Sequence, residues 1–279
     1  MPVKREINTA KEMGFCGGVQ QAIKKAKEAC DKYGRVQMLD DIVHNEFVVD
    51  ELAEKGVIVV NSLEEADKNI PVLFRAHGTP VETWNKAKEM GFKIIDATCP
   101  LVKEIHDYAK LLEKEKRQIF IIGDKGHDEV KGIASQVKDP IVISKKSNIP
   151  NQTYSKAGVV IQSTQNISKV DTLTAKLIKI VTDLRIINTI CAPTRNRQKE
   201  VKKLARENDR VIIVGSFTSA NTKRLVKVAR QINPNVNQVE KAQDLKADWF
   251  ENVTKIGLSA GASTPDNIID QVKRKITLF

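Results

Sequence analysis

With 279 residues, 41% of them apolar and 29% charged, the chain is long enough for one large domain or two to three small ones with a substantial core. The N-terminus MPVKREINTA lacks the apolar stretch of a signal peptide, and runs such as VIVV and IFII are far too short to span a bilayer, so a cytoplasmic protein without a membrane partner is expected. A formal net charge of +11 suits an anionic partner; because most lysines stand at helix-surface spacings among Glu, and no aromatic–basic alternation or basic tail occurs, small anionic substrates and acidic proteins fit better than nucleic acid.

The chain opens on a strand-like run, and MGFCGG then places Cys16 in a glycine-loosened turn before the helix VQQAIKKAKEAC. Strands read at GRVQML, GVIVV, PVLFRA, FKIIDA, QIFIIG, PIVIS, GVVIQ, RIINTI, RVIIVG and KIGLSA, with amphipathic helices between many of them. Short, nearly all-apolar strands alternating with helices predict an α/β fold with mostly parallel sheets covered on both faces. Within it the pattern at Cys16 recurs at similar intervals. Cys99 follows FKIIDAT and precedes Pro100 and the helix LVKEIHDYAKLLEKEK; Cys191 follows RIINTI and precedes Pro193 and the helix RNRQKEVKKLAREN. Three similar α/β units are expected: residues 1–98 with Cys16, His44 and His77; 99–190 with Cys99, His127, Glu129 and Thr164; 191–279 with Cys191, Ser219, Asn221 and Ser263.

Proline in the first helical turn costs no hydrogen bond, so Cys99 and Cys191 are placed at helix N-termini, where free amides and the helix dipole favour a thiolate. Cys30 differs: it falls on the apolar stripe Val19, Ala22, Ile23, Ala26 of one helix and reads as a buried structural thiol. The chain has no C-x-x-C, and its widely separated cysteines do not suggest a disulfide framework.

Ligands of open α/β sheets bind at the carboxyl ends of strands. There the sequence sets His44, His77, His127 with Glu129, Ser163 with Thr164, Ser216, Ser219 with Asn221, and Ser263. His106, mid-helix, reads as a flank of the packing face. Imidazoles, hydroxyls and an amide converging beside glycines suit phosphate oxygens, whereas neither a P-loop nor a dinucleotide fingerprint is present. Glu129 is placed to act as a proton donor. Three thiolates brought to a common centre could hold zinc with an open position or an iron–sulfur cluster with one iron lacking a protein ligand, and spacing alone does not separate these.

The segments GFCGGV, VHNEFVVDELAEKGV, AHG, DATCPLV, GHDEV, QSTQ, CAPTRNRQ, SFTSAN and AGASTPD, in order from residue 14 to residue 266, closely resemble the 4-hydroxy-3-methylbut-2-enyl diphosphate reductases. The resemblance implies three α/β units arranged pseudo-threefold around a central [4Fe-4S] cluster held by Cys16, Cys99 and Cys191, or [3Fe-4S] once degraded. It implies diphosphate binding by His44, His77, His127, Ser219, Asn221 and Ser263, proton delivery by Glu129, and Ser163 and Thr164 near the substrate hydroxyl. The implied reaction is a two-electron reductive dehydroxylation that releases water and gives isopentenyl and dimethylallyl diphosphate, the last step of the methylerythritol phosphate route. Its electrons come singly from ferredoxin or flavodoxin, acidic carriers that a basic surface suits. Ser219-Ala220-Asn221 departs from the family's Ser-Ser-Asn, so any diphosphate contact at Ala220 falls to its backbone N–H. Ser163 stands for the first threonine of QTT, and Gly17 for a frequent Ala. The chain ends at KRKITLF, so the RNA-binding segment fused to some relatives is not expected. A zinc phosphate-ester hydrolase and a non-catalytic redox sensor are the rival readings, and neither accounts for the ordered motifs.

Overall fold

The computed structural model of the protein describes residues 5–43 and 45–279. Strands and helices alternate in chain order, beginning with β1 (Glu6–Thr9), α1 (Gly17–Tyr33), β2 (Val36–Leu39), α2 (Glu46–Glu54), β3 (Val57–Val60) and β4 (Val72–Phe74). They continue with α3 (Val81–Glu89), β5 (Ile94–Asp96), α4 (Pro100–Lys114), β6 (Gln118–Ile122), α5 (Asp128–Ala134), β7 (Ile141–Ile143) and β8 (Tyr154–Ile161). The last are α6 (Ile167–Leu177), β9 (Val181–Ile186), α7 (Ala192–Glu207), β10 (Arg210–Val214), α8 (Ala220–Arg230), β11 (Val236–Val239), β12 (Lys255–Ala260) and α9 (Asp266–Ile276).

Three four-stranded sheets result, ordered β3-β2-β4-β5, β7-β6-β8-β9 and β1-β12-β10-β11, with every pairing parallel. The chain divides into two compact units: one comprises the described residues of Met1–Val19, His44–Asp50 and Ala192–Phe279, the other Gln20–Val43 and Glu51–Cys191. The second unit holds the first two sheets, and the first unit holds the third.

Strand patterning explains why parallel sheets form. In β6 and β8, Phe120, Ile122, Val159 and Ile161 face one way and pack on Val170, Leu173 and Leu177 of α6. Ile119, Ile121 and Val160 face the other way and pack on Ile105, Ala109 and Leu112 of α4 with Val130 and Ile133 of α5. A strand segment buried on both faces must be apolar throughout, as residues 119–122 and 159–161 are. In the other unit, Ile212 and Val214 of β10 meet Ile268, Ile269, Val272 and Ile276 of α9, while Val211 and Ile213 meet Val201, Leu204 and Ala205 of α7 and Leu225, Val228 and Ala229 of α8.

Three local expectations are corrected. The N-terminal strand, assigned by sequence to the unit of residues 1–98, pairs instead with β12, Glu6 opposite Lys255 and Thr9 opposite Leu258; local patterning carries no record of which sheet a strand joins. The strand read at RIINTI begins earlier, at Val181, and ends at Ile186. Beyond it Ile187 still donates to Val159 O, and the Thr189 hydroxyl takes the N–H of Ile161 at 2.8 Å, a side chain standing in for the ladder. β11, VNQV, is a strand without a strong sequence signal, since its two central residues are polar and Asn is a poor strand former.

His106 is more central than a flank. It is 9% exposed, and its ring lies against Gly78 and Gly132, where an added Cβ would come within 3.2 Å and 3.5 Å of it. Burial, reinforced by Lys110 and Lys103 and opposed by Asp107 and Asp96, lowers its pKa to about 4. The ring is therefore neutral at neutral pH, and the fold disfavours its protonation. The stability this contributes is complete above pH 6.5 and is lost as pH falls towards about 4, on the order of 3 kcal/mol in all. Ring titration by NMR should find a midpoint near 4, and His106→Asn should abolish that part of the acid slope in urea unfolding.

Candidate active site

In the second unit the strand ends build one connected set of side chains. His127 caps α5, and its Nδ1 accepts the Glu129 N–H at 3.2 Å, so the neutral ring carries its proton on Nε2. Glu129 lies in the first turn of α5 and is 1% exposed. Ser163 clasps it twice: its N–H donates to Oε1 at 2.5 Å and its hydroxyl to Oε2 at 2.8 Å. The His77 ring stands edge-on to that of His127, centroids 5.7 Å apart. Gln162, just before Ser163, donates through Nε2 to the Thr164 hydroxyl at 3.3 Å.

Two cysteines tie into this set through the backbone. Cys99 is the N-cap of α4, and its N–H donates to Ala76 O at 3.0 Å, next to His77. Cys191 directly precedes α7, and its N–H donates to Ser163 O at 3.0 Å. Asp96 shapes the approach to Cys99: its Oδ1 accepts the Thr98 N–H at 2.9 Å, and it pairs with Lys103. Burial would raise the Asp96 pKa, but Lys103 and Thr98 outweigh it and hold the carboxyl below its usual range.

In the first unit, Cys16 directly precedes α1 and donates its N–H to Ala262 O at 3.1 Å, beside Ser263. Ser219 caps α8, its hydroxyl accepting the Thr222 N–H at 3.3 Å. Ala220 opens α8, where backbone amides have no intrahelical acceptor. The Asn221 side-chain nitrogen is buried and meets no hydrogen-bond partner among the described residues, an uncommon state that a ligand oxygen would relieve. Gly14 has φ +76°, and a Cβ there would come within 2.5 Å of the Asp266 side chain. Gly14→Ala should therefore cost about 1–3 kcal/mol of stability in urea unfolding.

His44 lies outside the described residues. Cys30 is 5% exposed on the inner stripe of α1, and burial followed by the charge of Asp31 pushes its thiol pKa up, so it suits packing. Among the described residues, no three His, Cys, Asp or Glu side chains are grouped to hold a single metal ion. As donors, the three remaining cysteines are partly exposed thiols outside any disulfide. Each directly precedes a helix, so its sulfur is held beside the free backbone amides of a first turn. This chemistry fits iron–sulfur ligation.

Two positions were not singled out by sequence. Asn45, 4% exposed, donates to Ser263 O at 2.8 Å; its only local signal was its place in VHNEF. Arg75 forks between Asp40 at 3.2 Å and Asp128, the residue beside Glu129, at 3.1 Å. Burial works against the Asp128 carboxylate, yet Arg75, Lys131 and His77 hold its pKa below the usual range.

A buried acid in the first turn of α5, clasped by Ser163 and close to two histidines, together with cysteines at helix N-termini, marks the candidate active site of a parallel α/β enzyme. The chain belongs to the LytB protein family, whose model matches residues 7–277. It is 38% identical to the 4-hydroxy-3-methylbut-2-enyl diphosphate reductase of Geobacter sulfurreducens, over 98% of each chain. It is also 38% identical to the protein of that name from Aquifex aeolicus, over 97% of this chain and 96% of the relative. A solved structure of (E)-4-hydroxy-3-methyl-but-2-enyl diphosphate reductase, described as the terminal enzyme of the non-mevalonate pathway, is 37% identical and superposes with a TM-score of 0.72, covering 99% of this chain and 100% of that one. The E-1-hydroxy-2-methyl-but-2-enyl-4-diphosphate reductase from Plasmodium falciparum is 28% identical with a TM-score of 0.91, over 98% of this chain and 88% of that one. Among the described residues no helix is long and apolar enough to cross a membrane.

Proposed function

We propose that the chain catalyses the reductive dehydroxylation of (E)-4-hydroxy-3-methylbut-2-enyl diphosphate, the closing step of methylerythritol phosphate isoprenoid synthesis, in the cytoplasm. Two electrons and two protons enter, the carbon–oxygen bond of the allylic hydroxyl breaks, water leaves, and isopentenyl or dimethylallyl diphosphate remains. Cys16, Cys99 and Cys191 hold a [4Fe-4S] cluster, with [3Fe-4S] as its degraded form. Such a cluster supplies an iron without a protein ligand, both a Lewis acid and a conduit for single electrons. Ferredoxin or flavodoxin delivers those electrons, and the chain's net charge of +11 favours such acidic carriers.

The observation that carries this reading is the double clasp of Ser163 on Glu129. Oε1 accepts from a backbone N–H that can only donate, so a proton passing through Glu129 is carried on Oε2, where the Ser163 hydroxyl can turn from donor to acceptor. Glu129 is thereby held in one orientation with its mobile proton at one atom. His44, His77, His127, Ser219, Asn221 and Ser263 take the diphosphate, the Asn221 amide gaining the acceptor it lacks within the protein. At Ala220 only the backbone N–H takes part. Thr164 stands near the substrate hydroxyl, and Ser163 acts there through Glu129.

Iron, acid-labile sulfide and zinc per chain after strictly anaerobic purification test the reading. Iron and sulfide in equal amounts are expected. Zinc without sulfide would replace the reductase by a hydrolase of phosphate esters.

A further inference from the structure

Arg197 lies on α7 almost wholly inside the first unit, 4% exposed. Its Nη2 donates to the Gly14 carbonyl at 2.9 Å, while its Nε meets no acceptor and no described carboxylate forms an ion pair with it. An arginine stays charged in any protein setting, and a buried charge resting on one neutral acceptor is strongly unfavourable unless an anion compensates it. The residue it grips is the hinge of the Cys16 turn. Gly14 is in the left-handed region and packed against Asp266, and two residues on the Cys16 N–H is fixed to Ala262 O at 3.1 Å. The turn is thus pinned at one end by Arg197 and at the other by the loop that carries Ser263.

We propose that Arg197 is a positioning residue for Cys16: it sets the turn through the Gly14 carbonyl and supplies the counter-charge to the anionic group that Cys16 carries. This rests on the iron–sulfur reading, since a cluster on thiolates is an anion that would compensate the guanidinium. The side chain acts on Cys16 through the backbone of residues 14–16 and through its charge.

Amide hydrogen exchange on the full chain, purified anaerobically, tests the positioning without depending on the cluster. In Arg197→Gln, exchange in the peptide spanning residues 15–17 should speed at least tenfold, while the peptide spanning residues 98–101 stays within threefold of wild type. Arg197→Lys, which keeps the charge and one donor, should stay within threefold at both. In the same preparations, iron loss to a chelator should be at least tenfold faster in Arg197→Gln, with an altered electron paramagnetic resonance signal after reduction, and Arg197→Lys should restore both. Unchanged exchange at residues 15–17, or equal acceleration at both peptides, would overturn the proposal. A wild-type chain without iron and sulfide would overturn the cluster reading and the counter-charge with it, and the exchange data would still decide whether Arg197 sets the turn.

Discussion

Glu129→Gln is expected to cut turnover by about 10²–10⁴-fold, the range associated with a positioned general acid, while iron and sulfide content and the melting profile stay at wild-type values. The clasp explains why chemistry and fold separate here. A glutamine can present its carbonyl oxygen to the Ser163 N–H and its NH₂ to the Ser163 hydroxyl, so both contacts with Ser163 persist. What disappears is the proton on Oε2. Steady-state turnover with a reduced carrier, beside metal analysis of the same sample, checks this. Near-normal turnover would remove Glu129 from the proton path.

Cys99→Ala is expected to abolish bound iron and sulfide together, and Cys30→Ala to leave both intact. Cys99 occupies the N-cap of α4, with Pro100 in the first turn, and its backbone is fixed to Ala76 beside His77, so its thiol is presented by rigid elements. Truncation to alanine removes the sulfur and leaves that frame in place. Cys30 sits inside the apolar stripe of α1 with its thiol pKa raised, and its loss should cost only packing. Anaerobic purification followed by iron and sulfide assays distinguishes the two. Equal loss in both variants would mean that general instability, not ligation, controls cluster content.

Much of this protein was legible because its signals are local. Apolar runs such as IFII and RVIIV are strands buried on both faces, and the cysteine–helix junctions at Cys16, Cys99 and Cys191 follow from glycine and proline placement. The stripe that buries Cys30 is a helical period. Contacts between distant segments leave no such trace. The pairing of β1 with β12 spans nearly the whole chain, and Asn45 reaches Ser263 across 218 residues. The gift of the Ser163 hydroxyl to Glu129, 34 residues away, is equally invisible in the QSTQ motif. Arg75 and Arg197 looked like two more cations in a basic chain; only burial and their partners, Asp40 with Asp128 and the Gly14 carbonyl, mark them out. Residue types at strand ends thus mark candidate groups, and folding decides which of them hold one another.

Reduction at an allylic diphosphate can be read from the products after anaerobic incubation of the wild-type chain with (E)-4-hydroxy-3-methylbut-2-enyl diphosphate and a reduced one-electron carrier. Isopentenyl and dimethylallyl diphosphate are expected, with two carrier equivalents oxidised per product and no inorganic phosphate released. Phosphate release without carrier oxidation, or unchanged substrate with a fully loaded cluster, would contradict it.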